Sequence, residues 1–120
     1  MKNIDEALNE MNAIADDACD GKLTEAECKK RLDAVRKTYG DDLFLNNSIG
    51  ELKNEPASKE KIRELRIIQA QGGTSEETFL EMARTGRQLR KRKLTQMLAV
   101  IAAIVAAAAL IISLISALKN

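Results

Sequence analysis

The chain has no histidine and no tryptophan, one proline and two cysteines among its 120 residues. Each shortage removes a class of chemistry. Without an imidazole there is no Ser/His/Asp or Cys/His nucleophile. Two thiols with no histidine make a poor zinc site. The whole aromatic set is Tyr39, Phe44 and Phe79, too few for the stacking platform of a single-strand nucleic-acid binder. Gly72-Gly73 lacks the following Lys-Ser/Thr of a phosphate-binding loop. The carboxylate pairs Asp16-Asp17 and Asp41-Asp42 lack the spacing of a calcium loop and read as solvated faces. The sequence therefore predicts a protein that is not an enzyme: no catalytic residue, no cofactor-binding or metal residue, no cofactor, no small-molecule substrate and no nucleic-acid partner. Cys19 and Cys28 flank one turn, so a disulfide is conceivable. Reduced on a cytoplasmic side, they read as two small buried hydrophobes.

What the chain does have is a division of charge beneath a net +1. Residues 1–81 carry twelve Lys and Arg against eighteen Asp and Glu, for −6. Residues 82–120 carry seven Lys and Arg and no carboxylate, for +7. Within that basic part, Met97 to Leu118 has no charge over 22 positions, and Lys119-Asn120 follows. At about 1.5 Å per residue this run spans the roughly 30 Å hydrocarbon core of a bilayer. It predicts a tail-anchored, single-pass membrane protein. Arg84, Arg87, Arg90, Lys91, Arg92 and Lys93 precede the run and only Lys119 follows it. Basic residues beside a span stay cytoplasmic, so these six read as a topology signal and a lipid-headgroup contact, with the N-terminal head in the cytoplasm. An acidic head of this size buries only a small core, and self-association is a natural way to stabilise it.

Helical spacing organises the head. Ile4, Leu8, Met11, Ile14 and Ala18 predict an amphipathic helix over residues 4–19. Gly21 suits a left-handed C-terminal cap. Thr24 with Glu27 forms the S/T-x-x-E capping box of a second helix, about 25–39, with Cys28, Leu32, Val35 and Tyr39 on its apolar stripe and Gly40 at its end. Residues 40–57 show no sustained period. Leu43, Phe44, Leu45 and Ile49 are nonetheless apolar enough to pack on a hairpin. Ser58 caps a third helix, about 59–71, with Ile62, Leu65, Ile67 and Ile68 as its apolar side and Gly72-Gly73 after it. Thr74, Ser75 and Glu77 open a fourth helix, and Phe79, Met82 and Ala83 face the third. Only Gly86 interrupts good helix formers from there on, so the fourth helix is expected to run into the membrane with Gly86 as its flex point.

The two helical pairs repeat at an offset of 51. Met11 aligns with Ile62, Ile14 with Leu65, Gly21 with Gly72, Thr24-Glu25 with Ser75-Glu76, and Cys28 with Phe79. The first copy, from Gly21 through Leu23, Thr24, Glu25, Glu27 and Cys28 to Leu32, resembles the short C-terminal domain family known as SHOCT. That resemblance is best over residues 8–36, with Cys28 in place of the usual Phe. It is weaker over 62–89, where Ser75, Glu76, Glu77 and Phe79 match and Thr74 replaces an Ile. It implies a small interaction or oligomerisation module without catalytic residues.

The membrane helix adds one more pattern. Ala99, Ala102, Ala103, Ala106, Ala109, Ser113 and Ser116 form a small-residue stripe at three-and-four spacing. Such stripes let membrane helices approach closely, so these residues are the candidate membrane-helix interface. The expected fold is all-α: a helical hairpin over 1–40, a linker over 41–57, a second hairpin with a basic stalk over 58–93, and a transmembrane helix over 94–118. The expected partners are the bilayer and either a second copy or another membrane protein. The expected role is non-enzymatic assembly. The alternatives are a small pore-forming effector, holin-like or toxin-like, and an accessory subunit of a larger membrane complex.

Overall fold

The computed structural model describes residues 4–44, 49–71 and 75–119. Leu45, Gly72, Gly73 and Thr74, all named above, lie outside the described residues. Among the described residues the chain is helical with no strand. Its helices are α1 (Ile4–Cys19), α2 (Glu25–Tyr39), α3 (Lys59–Ala70) and α4 (Glu76–Lys119), with short 3₁₀ turns at Asp41–Leu43 and Gly50–Asn54. The chain divides into two compact units, Met1–Arg90 and Lys91–Asn120.

Local chemistry sets the helix ends of the first unit. After α1, Gly21 takes a positive φ of 75°. Its N–H donates to the Ala18 carbonyl and that of Lys22 to the Asp17 carbonyl. This double closure uses up carbonyls that the last turn leaves without intrahelical donors. At α2 the Thr24 hydroxyl accepts from the Glu27 N–H at 3.1 Å. The Glu27 carboxylate accepts in return from the Thr24 N–H at 3.3 Å. The capping box is complete. Gly40 ends α2, its N–H donating to the Arg36 carbonyl. The Ser58 hydroxyl accepts from the Lys61 N–H at 3.0 Å to start α3. Before α4 the cap falls to Ser75, whose hydroxyl accepts from the Thr78 N–H at 3.4 Å. Glu77, whose expected capping partner Thr74 lies outside the described residues, pairs with Lys53 at 2.5 Å.

The repeat spacing survives in three dimensions. α1 ends at Cys19 and α3 at Ala70, while α2 starts at Glu25 and α4 at Glu76, each pair of limits 51 apart as the aligned Cys28 and Phe79 are. Ion pairs and hydrogen bonds fix how the hairpins meet. Asn12 bonds Gln69 at 2.6 Å and Asp16 pairs with Arg66 at 2.7 Å, so α1 and α3 run antiparallel. Glu25 meets Arg84 near one end of α2, and Arg36 approaches Glu76 near the other, so α2 and the start of α4 also run antiparallel. Between those ends the Cys28 thiol donates to the Phe79 carbonyl at 3.6 Å. One buried cluster holds Met11, Ile14, Leu32, Leu65, Phe79 and Met82, drawn from all four helices.

Three packing details depart from the hydrophobic pattern. On α1 the buried face is Ala7, Met11, Ile14, Ala15 and Ala18, while Ile4 and Leu8 are exposed. Ala18 sits where the backbone of α1 comes close to Gly86 of α4. On α3, Leu65 is buried but Ile67 is 45% exposed, and Lys61 is buried instead. Gly86 is no flex point. A Cβ there would strike the Ala18 carbonyl oxygen and lie 2.7 Å from that of Cys19. The end of α1 rests on α4 at the one residue without a side chain.

Candidate functional site

Two regions carry unusual side-chain chemistry: a charged group inside the head, and the part of α4 beyond it. In the head, Lys61 and Glu81 are only 4% and 2% exposed and lie 2.7 Å apart. Lys61 Nζ also donates to the Glu55 carbonyl at 2.9 Å. Arg84 donates to the second oxygen of Glu81 and forks onto Glu25, Nε to Oε1 at 2.9 Å and Nη2 to Oε2 at 3.1 Å. The bond from Arg84 holds the Glu25 carboxyl below its ordinary range, and the same bond raises Arg84. Every charge in this chain of four has a protein partner. Buried ions need that, because desolvating an unpaired one costs several kcal/mol. The group ties α2, α3 and α4 together and presents no reactive face.

The thiols are equally closed. Burial pushes Cys19 and Cys28 up to about 11. Neither is a nucleophile near neutral pH, since the thiolate is the reactive form. Both are free cysteines.

The head also claims part of the basic flank. Arg84 is committed to Glu25 and Glu81, so it is not available as the headgroup contact that its position in sequence suggests. Arg90 Nη1 donates to the Gly21 carbonyl at 3.4 Å. Arg87 is half-buried. Lys91, Arg92 and Lys93 are exposed and belong to the second unit. Among the turn and cap residues, Gly21, Thr24, Glu27 and Ser75 sit where the turns need them; Gly72, Gly73 and Thr74 lie outside the described residues.

Beyond Lys91, every described residue of α4 is exposed. α4 is the one helix among the described residues long and apolar enough to cross a membrane, and none of its apolar window is buried. Ala99, Ala102, Ala103, Ala106, Ala109, Ser113 and Ser116 share one side by helical periodicity. Lys61, Glu81 and Gly86 were not legible as structural keys. Their partners sit on other helices, and nothing local in the sequence marks a lysine or glycine as buried. Comparison with protein-family models, with curated proteins and with solved structures found no match to this chain.

Proposed function

We propose that this chain is a non-enzymatic, single-pass membrane protein that works by assembly, through its helical head and the small-residue face of its membrane helix. The observation that carries this is the second unit of α4, which leaves Met97 to Leu118 wholly uncovered. An apolar surface of that extent is not stable in water and marks a membrane or protein contact. Its length matches a bilayer core of roughly 30 Å. The stripe from Ala99 to Ser116 gives a second helix a place to approach, since lipid supplies no hydrophobic drive between helices. The paired charges of Lys61, Glu81, Arg84 and Glu25 and the raised thiols speak for binding over catalysis. The SHOCT-like residues 8–36 point the same way. The cytoplasmic placement of the head rests on the basic residues before the span.

The test is cross-linking in native membranes, followed by mass measurement of the purified complex in detergent. A defined oligomer or a stoichiometric membrane-protein partner is expected. Ala103→Leu and Ala106→Leu should each weaken it at least several-fold by filling the close-approach face. A strictly monomeric chain that brings no partner, or association indifferent to both substitutions, overturns the proposal.

A further inference from the structure

The outer face of the first hairpin carries both signs of charge in register. On α1, Glu6, Glu10, Ala13 and Asp17 follow at three-and-four spacing, as Lys30, Ala34 and Lys37 do on α2. Residues so spaced share one side of a helix. All of them are exposed except Asp17, which is half-buried. Asp17 pairs with Arg31 at 2.6 Å. A crevice between the helices brings Glu10 beside Val35, Thr38 and Tyr39, so α1 and α2 run antiparallel. That register sets Glu10 level with Lys37, Ala13 with Ala34, and Asp17 with Lys30. Among the described residues, Glu6, Glu10, Lys30 and Lys37 enter no ion pair.

The arrangement of sign selects the partner. A surface of one sign, such as an anionic bilayer, a nucleic-acid backbone or a wholly basic helix, is attracted along one helix and repelled along the other. A second copy is attracted along both. A two-fold axis parallel to the helices lays α1 of each copy over α2 of the other, antiparallel and at the same level. Glu10 then faces Lys37 and Asp17 faces Lys30, and both pairs recur across the axis, as an isologous contact requires. Ala13 meets Ala34 at the centre. Small side chains there permit the lower end of the roughly 8–10 Å separation of packed helices.

We propose that this face of the α1–α2 hairpin docks on the same face of a second copy, forming a four-helix bundle. This rests on the assembly reading above, and it goes further in naming the surface of the head, its occupant and the residue pairs. Exposed ion pairs are individually weak, but the symmetry counts each one twice.

The experiment reads contact between heads in the full chain in detergent. A photo-cross-linker is attached at Asn9→Cys, on the exposed rim of the face. The native thiols, raised to about 11, leave this cysteine as the reactive one near neutral pH. Cross-linked dimer is expected with no other change. Glu10→Lys and Lys37→Glu should each lower its yield several-fold, with thermal melts checking that both variants fold. An equal mixture of the two variants should restore the yield, because the mixed dimer again sets Lys against Glu at both sites. Yield indifferent to the reversals, or not restored by mixing, overturns the docking face alone where native mass spectrometry still finds an oligomer. A strictly monomeric mass overturns the assembly reading as well. In native membranes, a cross-link to a different protein or to lipid in place of a second copy refutes the proposed occupant.

Discussion

Gly86 shows how a single absent side chain positions two helices. The backbone of α1 at Ala18 and Cys19 occupies the space a Cβ would need, so Gly86→Ala forces the helices apart. Overpacking of this kind costs about 1–3 kcal/mol, offset by about 1 kcal/mol from the better helix propensity of alanine. We expect a net loss of about 1 kcal/mol, read as a lower midpoint in a thermal melt of the full chain in detergent. An unchanged or raised midpoint would show that the contact yields easily. The buried Lys61–Glu81 pair makes the complementary case. Removing one partner of such a pair costs about 3–5 kcal/mol. Arg84 still reaches Glu81, so Lys61→Met should fall at the lower end, about 3 kcal/mol. Lys61→Met/Glu81→Leu should recover most of that loss in denaturant unfolding. A double variant as unstable as the single one contradicts this account.

At the scale of the element, the helix limits were legible in sequence because caps are local. Thr24 with Glu27, Ser58, Gly21 and Gly40 each satisfy backbone groups within a few residues of themselves, and the chain folds there as the spacing indicates. Thr24→Ala should cost about 1 kcal/mol, with faster amide exchange at Glu27 and Cys28. Protection unchanged at both amides would mean that packing alone holds the start of α2. The faces of the helices were only half legible. Leu65, Phe79 and Met82 announce themselves by bulk. Ala7 and Ala15 are buried on α1, whereas Ile4 and Leu8, which seemed to define its apolar face, are exposed. Lys61 lies on the core side of α3 because Glu81 waits on another helix, and no periodicity encodes that. Arg84 read as part of a membrane flank for the same reason: its partner Glu25 is 59 residues away.

At the scale of the whole molecule, charge pairing between helices links stability to pH. Glu25 has its carboxyl held below the ordinary value of 4.5, first by the hydrogen bond from Arg84. A carboxyl depressed in the folded state stabilises the fold above its unfolded value, and that contribution is lost as pH falls through the folded one. The melt of the full chain should therefore be nearly flat from 4.5 up to the ordinary thiol value of 9.0, above which the raised thiols of Cys19 and Cys28 lower it, and it should decline on acidification below 4.5. Because Glu25 is half-exposed, solvent screens the pair and the decline it causes is small. Glu25→Gln should reduce the acid slope; a slope identical to that of the wild type assigns the effect to other carboxylates.

The reciprocal pairing of the hairpins also has a consequence for the order in which the molecule is made. α1 and α2 cannot complete their contacts until Phe79 and Arg90 arrive, because those contacts reach across 51 and 69 residues of chain. Contacts of that separation close late in folding. During synthesis the residues that finish the head are followed almost at once by Met97 and the apolar run. The head reaches its closed form in the same short interval in which the apolar segment is being completed, so its first hairpin must wait, capped but uncovered, while the second is made.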